Sequence, residues 1–251
     1  MDAPFAIFGL SLVVLWLAGQ AGAYLHKRRP ALEDAARENV DMILTLALTL
    51  LGLIIGFSFS MAVSRYDQRK NFEEAEANAI GTEYLRASLL PPADAARVRA
   101  ILGRYLEQRV LFYVTRDAHQ LEQIDAATAQ LQTDLWAAVQ APAMAQPTPV
   151  VALAVQGMND VLNSQGYTQA AWWNRIPTAA WALMVLIAMA GNMLVGYKAR
   201  FTEARTLRSV VLPLIVAIAF FLIADLDSPR HGVIRVSPQN LLSLGQSMRA
   251  Q

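Results

Sequence analysis

The residues that could do chemistry are few and scattered. The chain holds three histidines, His26, His119 and His231. None is paired with another at the HxxxH spacing that would set two metal ligands on one helix face. Each is expected on a solvated surface. Cysteine is absent, which excludes disulfides, thiolate catalysis, iron–sulfur clusters and cysteine zinc sites. No GxSxG, GxxxxGK[ST] or GxGxxG pattern occurs, so hydrolase, NTPase and dinucleotide-binding readings have no support. The expectation is therefore no enzyme, no metal site and no cofactor. Glu73, Glu74, Glu76 and Glu83 lie among arginines and lysines at spacings that suit ion pairs on a helix surface, and a solvated charged face is expected for them.

One pattern remains. On a helical wheel at about 100° per residue, Thr45, Thr49, Gly52, Gly56 and Ser60 fall on one face, with Leu50, Leu53 and Phe57 off it. The same face continues through Asp67, Lys70, Glu74, Asn78 and Gly81. Two readings fit this stripe. Gly52 and Gly56 form GxxxG, which Ser60 extends, and such a face suits close helix packing. A polar strip crossing a bilayer must otherwise turn towards protein or water, so it also suits the wall of a water-filled pathway. Both put the helix at the interior of a bundle. In the second reading Phe57 and Phe59 are the candidate constriction, because apolar rings can gate by excluding water.

The elements that position these residues follow from hydropathy. Hydrophobic residues make up 55% of the 251 and charged residues 16%, against a net charge of +1. Those proportions favour a membrane protein and give no basic footprint for nucleic acid. Residues 4–25, 43–63, 177–197 and 209–226 are each apolar and close to the roughly 20 residues that cross a bilayer. The first lacks the basic start of a cleaved signal and ends in His26, Lys27, Arg28 and Arg29. Trp172 and Trp173 precede the third span and Tyr197 ends it, as in an aromatic belt. Pro213 lies near the start of the fourth, where a membrane helix tolerates it.

The predicted class is an all-α membrane protein. It has a first transmembrane hairpin over 4–63, a helical extramembrane domain over 64–176 that continues the second span, a second hairpin over 177–226 and a tail over 227–251. The second helix is expected to leave the bilayer as one rod on the order of 70 Å long. Pro91 and Pro92 end it, with Asp94 placed to cap the next helix. Pro142, Pro147 and Pro149 mark a loop, a break is expected near Gly166, and VIRV at 233–236 could form a short strand.

The block GFSFSMAVSRYDQRKNFEEAEANAIGTEYLRASLLPP, residues 56–92, together with IADLDSPRHGVIRVS, residues 223–237, resembles a bacterial membrane family described as bestrophin-like, over nearly the whole chain. SRYDQRKN and EANAIGTEYLRA carry most of that resemblance. Bestrophins are pentameric anion channels with four membrane helices per subunit, the second of which lines the pore and extends into a helical cytosolic region. The resemblance implies a multi-pass protein of the bacterial inner membrane that self-associates in the lipid bilayer and passes small inorganic anions. Bestrophins also carry a dense acidic calcium clasp after the last span. This chain has only Asp225 and Asp227 there, whereas calcium takes roughly six to eight oxygen ligands.

The alternative class is a membrane-anchored helical scaffold or sensor with no transport. Loop charge and the bestrophin arrangement point to opposite orientations. Lys27, Arg28, Arg29, Arg37, Lys198, Arg200, Arg205 and Arg208 lean towards cytoplasmic short loops, although Glu33, Asp34, Glu38 and Asp41 dilute the first of these. The bestrophin arrangement is the opposite.

Overall fold

The computed structural model describes residues 3–28, 34–198 and 204–250, without the side chains of 34–38 and 204–209. Arg29, Glu33 and Arg200 lie outside the described residues, as do the side chains of Asp34, Arg37, Glu38, Arg205 and Arg208. The elements are α1 (Pro4–Arg28), α2 (Asp34–Arg86), a 3₁₀ turn (Ala87–Leu89), α3 (Pro92–Val114), α4 (Ala118–Ala145), α5 (Pro149–Trp173), α6 (Thr178–Lys198), α7 (Ala204–Asp227) and α8 (Gln239–Arg249). No strand occurs among the described residues. Four helical segments, within Pro4–Arg28, Asn39–Leu89, Pro149–Lys198 and Val210–Asp227, are long and apolar enough to cross a membrane.

The chain divides into two compact units. The first comprises residues up to Arg65 together with Arg175–Ile234, and so holds α1, the first part of α2, α6 and α7. Here α1 packs on both α6 and α7. Lipid tails are as apolar as leucine, so close packing rather than water exclusion must hold such helices together. Glycine makes that approach possible. A Cβ at Gly22 would collide with the Met193 carbonyl, and one at Gly196 with the Gly19 carbonyl, so α1 and α6 meet backbone to backbone. Phe5 and Phe8 of α1 pack on Phe221 of α7, and Trp181 of α6 meets Phe220 edge-on at 5.9 Å. Leu48 of α2 lies 3.2 Å from where a Gly191 Cβ would be, and Asp41 pairs with Lys198.

The second unit spans Tyr66–Asn174 and the residues from Arg235 onward. Its core gathers Ile80 and Ala87 from α2 and the turn after it, Val98, Leu102, Tyr105 and Phe112 from α3, Leu135 and Val139 from α4, and Ala154, Met158 and Val161 from α5. These recur at the three- and four-residue spacing of one helix face. Helix starts are set locally. The Asp117 side chain accepts from Gln120 N at 2.9 Å, and Thr148 accepts from Val151 N at 3.2 Å ahead of Pro149 in the first turn.

Several local expectations are corrected. Pro142 lies inside α4, near enough to its end that the helix closes at Ala145 through Gln146 N to Pro142 O. The loop there shrinks to residues 146–148. α5 runs through Gly166 without a break, and Asp94 sits in the first turn of α3 but makes no side-chain cap. The VIRV segment is irregular because its backbone bonds go to a carboxylate: Val233 N and Ile234 N donate to Asp225 at 2.7 and 2.8 Å.

The α1–α6 seam yields a paired test. Gly22→Ala is expected to destabilise the purified protein by about 1–3 kcal/mol, since the methyl group overlaps backbone that cannot rotate away. Gly9→Ala, on the same helix with open space around it, is expected to change stability by no more than about 0.5 kcal/mol. Thermal unfolding in detergent compares the two, and equal effects would refute the seam.

Candidate ion pathway along the second helix

α2 is a single helix of 53 residues, on the order of 80 Å long at 1.5 Å per residue. All but Ala77 of its described buried residues keep one register: Leu51, Ser58 and Ala62 in the first unit, then Arg69, Glu73, Glu76, Ile80 and Glu83 in the second. At 100° per residue these lie within about 40° of a common direction. The stripe lies roughly 140° away from it. Thr45, Thr49, Gly52, Gly56 and Ser60 are all exposed, as are Asp67, Lys70, Glu74 and Asn78. No atom lies within 4 Å of a Cβ built at Gly52 or Gly56. Within one chain, then, no described helix covers this face, and the glycine-mediated packing of the first unit belongs to α1 and α6. Gly19 and Gly22 on α1, with Gly196 on α6, were the sequence signal for that seam, whereas Gly191 faces Leu48 of α2. Phe57 and Phe59 flank the stripe and are 66% and 41% exposed.

The opposite face carries charge into the core, which overturns the solvated reading of three of the four glutamates. Glu73 and Glu76 are buried with Glu83, and Glu74 alone is exposed. Each buried acid demands partners, because an ionised group out of water is costly unless paired and hydrogen-bonded. Glu76 of α2 pairs with Arg109 of α3, and its second oxygen accepts from Tyr113 at 3.3 Å and Thr168 of α5 at 3.1 Å. Both members of the pair are fully buried. The Arg109 guanidinium also lies 4.4 Å from the Phe112 ring centroid. Burial pushes the Tyr105 and Tyr113 phenols above their ordinary range, and the Glu76 charge pushes them further, so both stay protonated at any physiological pH.

Glu73 instead caps another helix. It accepts from Leu241 N at 3.0 Å and from the Asn240 side chain at 2.6 Å, meeting the first turn of α8, which has no side-chain cap of its own. In the first unit the end of α7 forms a comparable knot. The Asp227 carboxylate accepts from Arg65 at 3.3 Å and from Ile176 N at 3.1 and 3.2 Å, while its carbonyl accepts from Arg175 at 2.6 Å. Asp227 thereby ties α2, the start of α6 and the end of α7 together. Asp225 and Asp227 spend their oxygens on these bonds. Among the described residues no group of three or more His, Asp and Glu could hold a metal ion. His119 and His231 are exposed, whereas His26 is half-buried with its ring edge-on to Tyr197 at 5.3 Å.

The buried pair makes a stability prediction. Arg109→Met leaves the Glu76 carboxylate buried without its countercharge and is expected to cost about 3–5 kcal/mol. Adding Glu76→Gln, which keeps an acceptor for Tyr113 and Thr168 but removes the charge, is expected to recover part of that loss. Chemical denaturation of the three proteins measures both steps, and a double variant no more stable than Arg109→Met would contradict the electrostatic account.

Comparison with known proteins bears on what this arrangement belongs to. The chain is similar to the crystal structure of a bacterial bestrophin homologue from Klebsiella pneumoniae, with a TM-score of 0.70 at 12% identity over 98% of this chain and 97% of that one. A point variant of the Klebsiella pneumoniae protein matches with a TM-score of 0.69 at 14% identity over 96% and 98%. At such identities the likeness is one of fold. No curated protein sequence matches the chain. The family model described as a bestrophin-like domain matches residues 5–241. An all-α chain with four membrane-spanning helices, matched by that model over almost its whole length, is a membrane protein of the bestrophin-like family.

Proposed function

We propose that the protein is a passive ion channel that conducts anions through a homo-oligomeric pore lined by α2. The observation that carries this reading is the free face of α2: small and hydroxylated residues line the membrane part, and no described helix of the same chain covers it. A polar strip exposed to lipid would be costly, so it needs either water or further copies of the chain. Several copies around an axis supply both, because closed rotational symmetry turns one free face into a continuous lumen. Thr49 and Ser60 offer hydroxyl donors, that of Thr45 being donated to the Asp41 carbonyl at 2.9 Å, and no carboxylate lies on the stripe within the span. The bestrophin fold belongs to a family known as anion channels rather than enzymes. Asp67, Lys70, Glu74 and Asn78 would extend the pathway beyond the bilayer, with Phe57 or Phe59 as the constriction.

The test uses Ser60→Cys in protein reconstituted into liposomes. Its volume hardly changes, so the oligomer is expected to persist, and a small charged thiol reagent is expected to label position 60 and reduce anion flux. Phe59→Ala, about 60° from Gly56 on the wheel, is expected to raise flux by widening the passage. An assembled Ser60→Cys protein that stays unlabelled with flux unchanged assigns the stripe to packing between copies. Wild-type liposomes that pass no ion, from a protein that is monomeric in lipid nanodiscs, favour the scaffold or sensor class instead.

A further inference from the structure

Among the described residues, Glu83 is the one buried acid of α2 left without a hydrogen-bond partner. Its residue is fully buried and neither carboxylate oxygen meets a donor. Its seat is a notch in α5. A Cβ at Gly157 would collide with Glu83 Oε2 and would come within 2.7 Å of Arg86 Nη1, so a glycine at that position is what lets the carboxyl group fit. The charged groups that face it are Arg86 from its own helix and Asp160 from α5. The turn Ala87–Leu89, which also packs on α5, brings no charge, and Arg99 of α3 is engaged with the Tyr84 carbonyl at 3.1 Å. Arg86 is loosely committed: it reaches Asp160 at 3.9 Å, and both side chains are partly in water.

Two arrangements are open to this cluster. With Glu83 neutral, the carboxyl group adds no charge and Arg86 Nη1, which lines the mouth of the notch, is left to Asp160 at 3.9 Å. With Glu83 ionised, the notch holds an anion that lacks a donor, and the nearest remedy is for Arg86 to turn inward or for water to enter. Desolvation by burial pushes the Glu83 carboxyl from the ordinary 4.5 up to about 8, Arg86 pulling down and Asp160 pushing up. We propose that Glu83 in its Gly157 notch is a proton-operated latch between α2 and α5, seated when protonated and loosened when ionised as Arg86, at the mouth of the notch, is drawn from Asp160 onto the carboxylate. The sign follows from linkage. The folded chain holds the proton to higher pH than an unfolded one does. The latch's contribution is therefore complete below about 4.5, declines as pH rises through about 8, and is level beyond. The latch lies within the second unit and does not rest on the channel reading.

The experiment is an infrared pH titration of the full-length protein in detergent, reading the protonated-carboxyl stretch, with amide hydrogen exchange across residues 150–164 corrected for intrinsic rates. The wild type is expected to lose a buried protonated-carboxyl band with a midpoint near 8 and to lose protection in α5 progressively between about 4.5 and about 8. Glu83→Gln is expected to lack the band and to show flat protection. Asp160→Asn removes the repelling charge and frees Arg86, moving the midpoint down by about one unit, while Arg86→Met moves it up. These opposed shifts test the electrostatics even if Glu83→Gln does not fold, and the latch itself is tested by whether protection of 150–164 follows the shifted titration, which a purely structural carboxyl group would not produce. A wild-type midpoint below about 5.5, or one unmoved by both charge variants, overturns the proposal.

Discussion

Everything in this structure depends on which side of α2 is buried. One helix of 53 residues presents a single register to the rest of its chain, and a residue's fate follows from its angle to that register. Leu51, Ser58 and Ala62 face inward in the membrane unit, and Arg69, Glu73, Glu76, Ile80 and Glu83 do so in the helical unit. The polar stripe is then obliged to point away. Because a helix cannot twist a side chain by 140° without breaking its backbone bonds, the burial of the inward face and the freedom of the outward face are one constraint.

That constraint explains the unusual polarity of the helical core. Placing three glutamates on an inward face is unfavourable unless each is answered, and the structure answers them differently. Glu76 receives a full complement from Arg109, Tyr113 and Thr168. Glu73 is spent on the first turn of α8 and so fastens the end of the chain to α2. Glu83 receives no donor. The first two fix geometry through directional bonds to three different helices, whereas the third stores a protonation equilibrium.

The membrane unit follows the rule suited to lipid. With no hydrophobic force between spans, contact area and backbone approach decide the packing, and the residues that decide it are the smallest. α1 and α6 close on each other through Gly19, Gly22 and Gly196. Gly52 and Gly56 of α2 stay clear of such contact, and Asp227 secures the end of the span through Arg65.

How much of this was legible in the sequence varies with the range of the interaction. Hydropathy by itself determined the four membrane helices and the all-α class, because a span must be apolar over its own length whatever it packs against. The 3.6-residue period likewise marked Thr45, Thr49, Gly52, Gly56 and Ser60 as one face, a property of the helix alone. The same period could not say which way that face turns. Nor could it separate Glu73, Glu76 and Glu83 from the exposed Glu74, since a carboxylate near arginines looks alike whether its partner is water or Arg109, thirty-three residues away. Both GxxxG on α2 and the glycines of α1 and α6 satisfy the pattern of close packing, and only the pairing of helices selects between them. Those choices belong to the tertiary structure because each is set by a group distant in the chain, and local periodicity carries no information about which distant group will arrive.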